Sequence, residues 1–200
     1  GETDRLGRID EGNTKSDYHS DEKERKHSIN YSLLHVIHKN KKINIIDNPG
    51  YLDFIASSKS AIRVTDMGLI TINAKNGVET GTELSFRFSK DDQLPLGFII
   101  NRLDSEDANF QESLDQLKDS FGKNSVVPLQ LPVDEGPGFN KVVDIIKMEC
   151  YQFADDNSGK TEKVDIPDSI REQAEEIRTA LIESIAETDE ELLETFFEQE

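Results

Sequence analysis

Two tetrapeptides in this chain carry residue types whose spacing suits nucleotide chemistry. The first is Asp47-Asn48-Pro49-Gly50, directly after the apolar run KINII at 42–46. A carboxylate at the end of a strand can hold the water shell of Mg²⁺, a hard cation that prefers oxygen ligands. Gly50 lets a backbone N–H approach a terminal phosphate with no side chain in the way. The second tetrapeptide is Asn101-Arg102-Leu103-Asp104, after LGFII at 96–100. An Asp carboxylate accepts two hydrogen bonds from the N1–H and N2–H₂ edge of guanine, a donor pair that adenine lacks, and Asn101 can brace the ring and the loop. Either motif alone is a weak signal, and D-x-P-G alone is commonly a turn. Their order, each behind a buried-looking strand, is what gives them weight, because ligands of α/β sheets lie at the carboxyl ends of strands.

The elements that must position these loops are legible in outline. Residues 33–38 (LLHVIH) and 42–46 read as two strands of a hairpin turning at His38 to Lys41. A helix-compatible stretch, LDFIASSKSAIRVTD, follows the first tetrapeptide. Strand MGLITIN (67–73), helix 78–92, strand 96–100 and helix 109–121 come next, an alternation that predicts an α/β sheet with right-handed crossovers. Near residue 124 the pattern changes to strand-like runs, VVPLQLPV, KVVDIIKMECYQF and KTEKVDI, which predict a small antiparallel unit. A long acidic helix is expected over Asp168 to Glu187, with Asp168 as N-cap and an apolar stripe of Ile170, Ala174, Ile177, Leu181 and Ile185, then a second helix from Asp189 to Phe197. Residues 1–30 are polar with little apolar periodicity and predict a long flexible segment.

Charge narrows the partners. The 200 residues carry a net charge of −18, which argues against a direct nucleic-acid grip, since every phosphate contact needs a cation. Residues 1–50 balance at nine against nine, and 151–200 sum to −12. The single cysteine, Cys150, cannot pair within the chain, so a reducing cytoplasm is the expected setting. No apolar window reaches the roughly 18 residues of a membrane span. His35 and His38, at i and i+3 on a strand, point to opposite faces and do not make a metal pair.

The series RLGRIDEGNTKSDYHSDEKER, HSIN, INIIDNPGYLDF, NGVETGTE, INRLD, VVPLQLPV and AETDEELLE resembles, in order and over essentially the whole chain, the GTP-binding domain of the translation elongation factor G family, particularly its elongation-factor-G-like paralogues. The resemblance implies an α/β fold of P-loop GTPase type, a mostly parallel sheet with flanking helices, incomplete here, plus an α+β inserted subdomain. It implies domains at 1–123 (partial GTP-binding domain) and 124–200 (inserted subdomain). The implied activity is GTP hydrolysis on the ribosome, with GTP/GDP and Mg²⁺ as ligands, in the cytoplasm. The alternative is a catalytically weakened paralogue that acts as a ribosome- or nucleotide-binding module.

Carried over by position, Ser28 falls where the family has the first-switch Thr or Ser that binds Mg²⁺. Asp47 and Gly50 match the second-switch D-x-P-G, with Asp47 a second metal-site residue, and Asn101, Arg102 and Asp104 match N-K-x-D. Tyr51 stands where translational GTPases usually place the His that positions the attacking water; the G-like paralogues also have Tyr. Lys26 and His27 replace the family's usual Gly and apolar residue, Asn48 a common Thr, and Arg102 the Lys. The implied mechanism is phosphoryl transfer to water. The family's inserted subdomain meets the basic ribosomal stalk protein, so the acidic helix is expected to dock there, although a solvated outer face explains it more simply. No G-x-x-x-x-G-K-[ST] loop occurs in the 200 residues. The family carries that loop ahead of the matched region and a further guanine loop after it, so the chain is expected to be a truncated portion that does not hold GTP tightly alone.

Overall fold

The computed structural model describes residues 7–155 and 158–198; residues 1–6 of the polar opening stretch lie outside the described residues. The chain divides into two compact units, one built from the residues up to Thr71 with Glu79–Ile99, the other from Ile72–Val78 with Ile100 onward.

In the first unit a short helix, α1 (Ser20–Arg25), precedes strands β1 (Ser32–His38) and β2 (Lys41–Asp47), which pair antiparallel from Ser32↔Asp47 to His38↔Lys41. Lys39 and Asn40 at the tip both have positive φ (46° and 60°), the backbone of a tight hairpin turn. The hairpin expected from sequence is therefore present, and β2 ends on Asp47. The helical stretch expected after Gly50 is split into a 3-10 turn, Leu52–Phe54, and a helix α2, Ile55–Ile62. Helix α3 (Thr80–Asp91) completes the unit.

The segment read from sequence as flexible is ordered over residues 7–30, and its hydrogen bonds explain why an apolar pattern could not reveal this. Its internal partners are carboxylates: Asp17 is 7% exposed and Glu22 is fully buried. A polar stretch whose buried groups bond to its own backbone needs no apolar stripe.

Strands β3 (Gly68–Asn73) and β4 (Leu96–Asn101) pair with each other, and the division between the units falls within both. Gly68 N–H bonds the Pro95 carbonyl and Ala74 N–H the Asn101 carbonyl, both at 2.9 Å. The register advances in the same direction along both strands, so the pair is parallel. The expected mostly parallel sheet is limited to this pair: among the described residues β1–β2, β3–β4 and the four strands below form three separate sheets. The intervening α3 supplies the long crossover that a parallel pair requires.

In the second unit helix α4 (Phe110–Phe121) is capped by Asn109, whose side chain accepts from Glu112 N–H at 2.9 Å. Asn109 N–H (3.1 Å) and the buried Ser113 hydroxyl (3.2 Å) both donate to the Ala74 carbonyl at the end of β3, fixing α4 to that strand. Strands β5 (Gln130–Val133), β6 (Lys141–Asp144), β7 (Glu149–Phe153) and β8 (Thr161–Val164) form one antiparallel sheet in sequence order. The run KVVDIIKMECYQF is thus two strands, separated by a turn in which Asp144 accepts from Lys147 N–H at 3.0 Å and Met148 has φ 52°.

Leu131, Val143 and Cys150 from this sheet, and Ile145 just after β6, are buried with Ala174 and Leu181 of α5 (Asp168–Ala186) in one core. Burial pushes the Cys150 thiol up, with a smaller opposing effect from Lys141, which suits an inert apolar filler. Helix α5 starts at Asp168 with Pro167 as N-cap, so Asp168 acts in the first turn, toward the positive end of the helix dipole, instead of as the cap itself. Its apolar stripe is covered as far as Leu181; Ile185 is 50% exposed, and Ala186 is buried instead. Helix α6 (Glu190–Glu198) follows.

Candidate functional site

Three segments of the first unit meet in one cleft of about 540 Å³: His27 and Ser28 after α1, Gly50 with Tyr51 and Leu52 after β2, and the first turn of α3 at Glu79 to Gly81. The space beside Gly50 is open, with no atom within 4 Å of where a Cβ would stand.

Ser28 is held in place by two buried carboxylates. Glu22 accepts three backbone N–H bonds, from Asn30 (2.9 Å), Ile29 (3.0 Å) and His19 (3.1 Å). Burial works to raise the Glu22 carboxyl, but these three bonds and the nearby His19 outweigh it and hold the carboxyl below its ordinary range. Asp17 accepts from the Thr14 hydroxyl at 3.1 Å and from the Ser28 hydroxyl at 2.7 Å. With its hydrogen given to Asp17, the Ser28 oxygen keeps its lone pairs for another partner.

His27 is tied from both sides. Its Nδ1 lies 3.0 Å from the Arg25 carbonyl, and its ring centroid lies 4.5 Å from that of Tyr51 at 44°. Lys26, just before it, adopts the left-handed conformation at φ 59° as the C-cap of α1.

Asp47, the last residue of β2, is half-buried and is not part of the cleft lining. Beside it Asn48 donates from Nδ2 to the Ile46 carbonyl at 3.2 Å, while its Oδ1 is buried with no hydrogen-bond partner among the described residues. A buried oxygen without a partner costs about 1–3 kcal/mol.

Asn101, Arg102 and Asp104 belong to the second unit. Asn101 Oδ1 accepts from Arg102 N–H at 2.8 Å, and Arg102 is left-handed at φ 62°, so the loop turns sharply after β4. The Leu103 carbonyl accepts from Gly136 N–H at 2.7 Å, and Phe110 N–H donates to Glu135 at 2.7 Å, tying the loop to the segment beyond β5. Asp104 is exposed. In the same unit Gly77 has φ 69°, a left-handed backbone that favours glycine, and it lies against the Gln116 amide, which accepts from Val78 N–H at 2.9 Å.

Of the residues singled out in the sequence, Ser28, Gly50 and Tyr51 therefore share one cleft, Asp47 ends β2 outside its lining, and Asn101, Arg102 and Asp104 occupy a turn in the other unit. Sequence reasoning missed Asp17 and Glu22, which fix Ser28, and the contact between His27 and Tyr51. Glu22 reaches back to the His19 N–H as the third residue of a capping box does, but His19 is not the Ser or Thr that marks that motif in a sequence.

A loop set of this kind, at strand ends of an α/β fold, defines a nucleotide-binding domain. Residues 1–198 match the family described as the elongation factor Tu GTP binding domain, and the chain belongs to that family. It is 35% identical over 195 residues to proteins named elongation factor G from a Thermotoga species and from Thermotoga maritima, covering 98% of this chain and 28% of each relative. A solved structure of a Thermus thermophilus protein superposes with a TM-score of 0.90 at 27% identity, covering 99% of this chain and 29% of that one. The chain thus spans under a third of the length of the relatives it matches.

Proposed function

We propose that this chain is the guanine-nucleotide-binding part of an elongation factor G-like GTPase that hydrolyses GTP on the ribosome, in the cytoplasm. The observation that carries the reading is the convergence on one cleft of two loops that the sequence marks, Ser28 from one and the adjacent Gly50 and Tyr51 from the other. In this reading 1–123 is the nucleotide-binding portion and 124–200 an inserted subdomain. Asn101 and Asp104 recognise the base, with the Arg102 stem beside it.

The donors present suit Mg²⁺. The Ser28 hydroxyl, the Asp47 carboxylate and the unpartnered Asn48 Oδ1 are all hard oxygens. Ser28 and Asp47 would hold the ion, and Asp17 orients Ser28 toward that task. When bound, Mg²⁺ neutralises phosphate charge. The Gly50 N–H, unobstructed by any side chain, donates toward the terminal phosphate.

The test is ribosome-stimulated phosphate release by the full-length protein containing these residues; release equal to that of ribosomes without the protein would remove the reading. The 200 residues alone contain no phosphate-cradling G-x-x-x-x-G-K-[ST] loop. A fluorescent-GDP titration of the 200-residue chain is therefore expected to give only weak binding. Sub-micromolar, Mg²⁺-dependent affinity would contradict this.

The finer partner is the ribosomal stalk protein, met by the acidic α5. Glu175, Glu176 and Glu183 are exposed on this helix, within a quarter of the chain that sums to −12. Opposite charge speeds encounter more than it tightens a complex. Reversing these three to Lys is expected to slow association with the stalk protein about tenfold or more at low salt. Unchanged association rates in stopped flow would end the docking idea.

A further inference from the structure

We infer that His27 orients the water that attacks the γ-phosphate, with the Tyr51 ring as its support. This rests on the reading of the cleft as the site of GTP hydrolysis.

The attacking water needs an acceptor for its hydrogen bond, placed in the cleft and compatible with a nearby polyanion. Most of the cleft's polar side chains are poor candidates. The Ser28 oxygen, whose hydrogen goes to Asp17, is reserved for Mg²⁺ in this reading. Glu79 is the N-cap of α3, engaged in a capping box with Thr82, and its negative charge would repel the phosphate. A phenol oxygen such as that of Tyr51 is a poorer hydrogen-bond acceptor than an imidazole ring nitrogen.

His27 differs in kind. A carbonyl oxygen only accepts hydrogen bonds, so the 3.0 Å contact between Nδ1 and the Arg25 carbonyl requires the hydrogen on Nδ1. In the neutral ring that leaves Nε2 as the acceptor, with its tautomer fixed by the backbone. The ring lines the cleft beside Ser28 and Gly50, and its orientation is set by two contacts, the Arg25 carbonyl and the Tyr51 ring 4.5 Å away. An imidazole fixed in this way can hold a water without itself adding negative charge.

In the step, the water oxygen forms a bond to the γ-phosphorus. The bond from phosphorus to the β–γ bridging oxygen breaks, and its electron pair stays on GDP. Both water hydrogens end on the released phosphate, one being lost to solvent near neutral pH. Nε2 holds the water's hydrogen bond during the attack and is unchanged at the end.

The test uses the full-length protein with ribosomes and GTP, in single turnover, with nucleotide affinity measured separately by fluorescent-GDP titration. His27→Ala is expected to lower the hydrolysis rate about 100-fold, with GDP affinity within threefold of the unsubstituted protein. His27→Gln, whose amide oxygen reaches the place of Nε2, is expected to recover part of that loss. His27→Asn reproduces only the Nδ1 edge and the bond to Arg25, and it is expected to recover none. Tyr51→Phe, which keeps the ring, is expected to lose less than His27→Ala.

Unchanged hydrolysis in His27→Ala overturns the inference while leaving the nucleotide reading standing. So does recovery by Asn but not by Gln, which would mean that His27 acts only through the Arg25 bond. A larger loss in Tyr51→Phe than in His27→Ala would return the role to the phenol. No nucleotide binding or hydrolysis by the unsubstituted protein overturns both readings.

Discussion

Replacing Asp104 by Asn in the full-length protein is expected to lower GTP affinity about a thousandfold and to move preference toward xanthosine triphosphate. Two hydrogen bonds to an ionised carboxylate contribute roughly 1.5–3 kcal/mol each, and 1.4 kcal/mol is a factor of ten. The Asn amide offers one acceptor and one donor. Against guanine, that donor faces the N2–H₂ donor; against xanthine, which has a carbonyl at that carbon, it is matched. Asp104 is exposed on the turn after β4, and exposed surface substitutions of this kind leave stability within about 0.5 kcal/mol. Competition of GTP and xanthosine triphosphate against fluorescent GDP checks the result. Equal GTP affinity in the variant would remove Asp104 from the site.

The second large effect is expected at Glu22. Glu22→Ala leaves the amides of His19, Ile29 and Asn30 without the acceptor that now serves all three. At about 1–2 kcal/mol for each of the three part-buried bonds to the carboxylate, the segment holding Ser28 loses about 3–6 kcal/mol of local stability. Hydrogen exchange at Ile29 and Asn30 should accelerate more than 100-fold, and exchange unchanged at these amides would refute the assignment. The carboxyl is depressed in the folded chain. Its contribution is therefore fully present above the ordinary carboxylate range and is lost as pH falls through the lowered folded value. Protection of Ile29 and Asn30 in the unsubstituted chain should weaken on acidification through that range, whereas Glu22→Ala should lack this acid-dependent step.

Those two residues also show where sequence reading reaches and where it stops. D-x-P-G and N-R-L-D were legible because each follows a strand with a plain apolar run, and β2 and β4 do end at Asp47 and Asn101. Helices α3 and α4 were legible from their places in the alternation of strands and helical stretches. The turn inside KVVDIIKMECYQF was hidden because Ile145 is fully buried and Ile146 is 59% exposed, so the run reads as unbroken apolar strand although the backbone reverses within it. The order of residues 7–30 was hidden for the opposite reason: Asp17 and Glu22 look like solvated charge in a sequence, and their acceptor bonds become visible only when the backbone is in place. His27 registered only as a departure from a family pattern until its distance to Tyr51 gave it a neighbour.

The left-handed backbone at Lys26 bears on equilibrium populations as well as on local geometry. A side chain at φ 59° costs about 1–2 kcal/mol relative to a right-handed alternative, a cost that Gly would not carry. Its ion pair with Asp10, at 3.2 Å between exposed groups, returns at most part of that. If the segment can also adopt an arrangement with Lys26 at negative φ, that second arrangement is favoured about fivefold or more over what Gly at this position would allow. The chain thus carries, two residues before Ser28, a built-in weight toward rearranging the loop, and Lys26→Gly would tip the balance back to the conformation in which Ser28 meets Asp17.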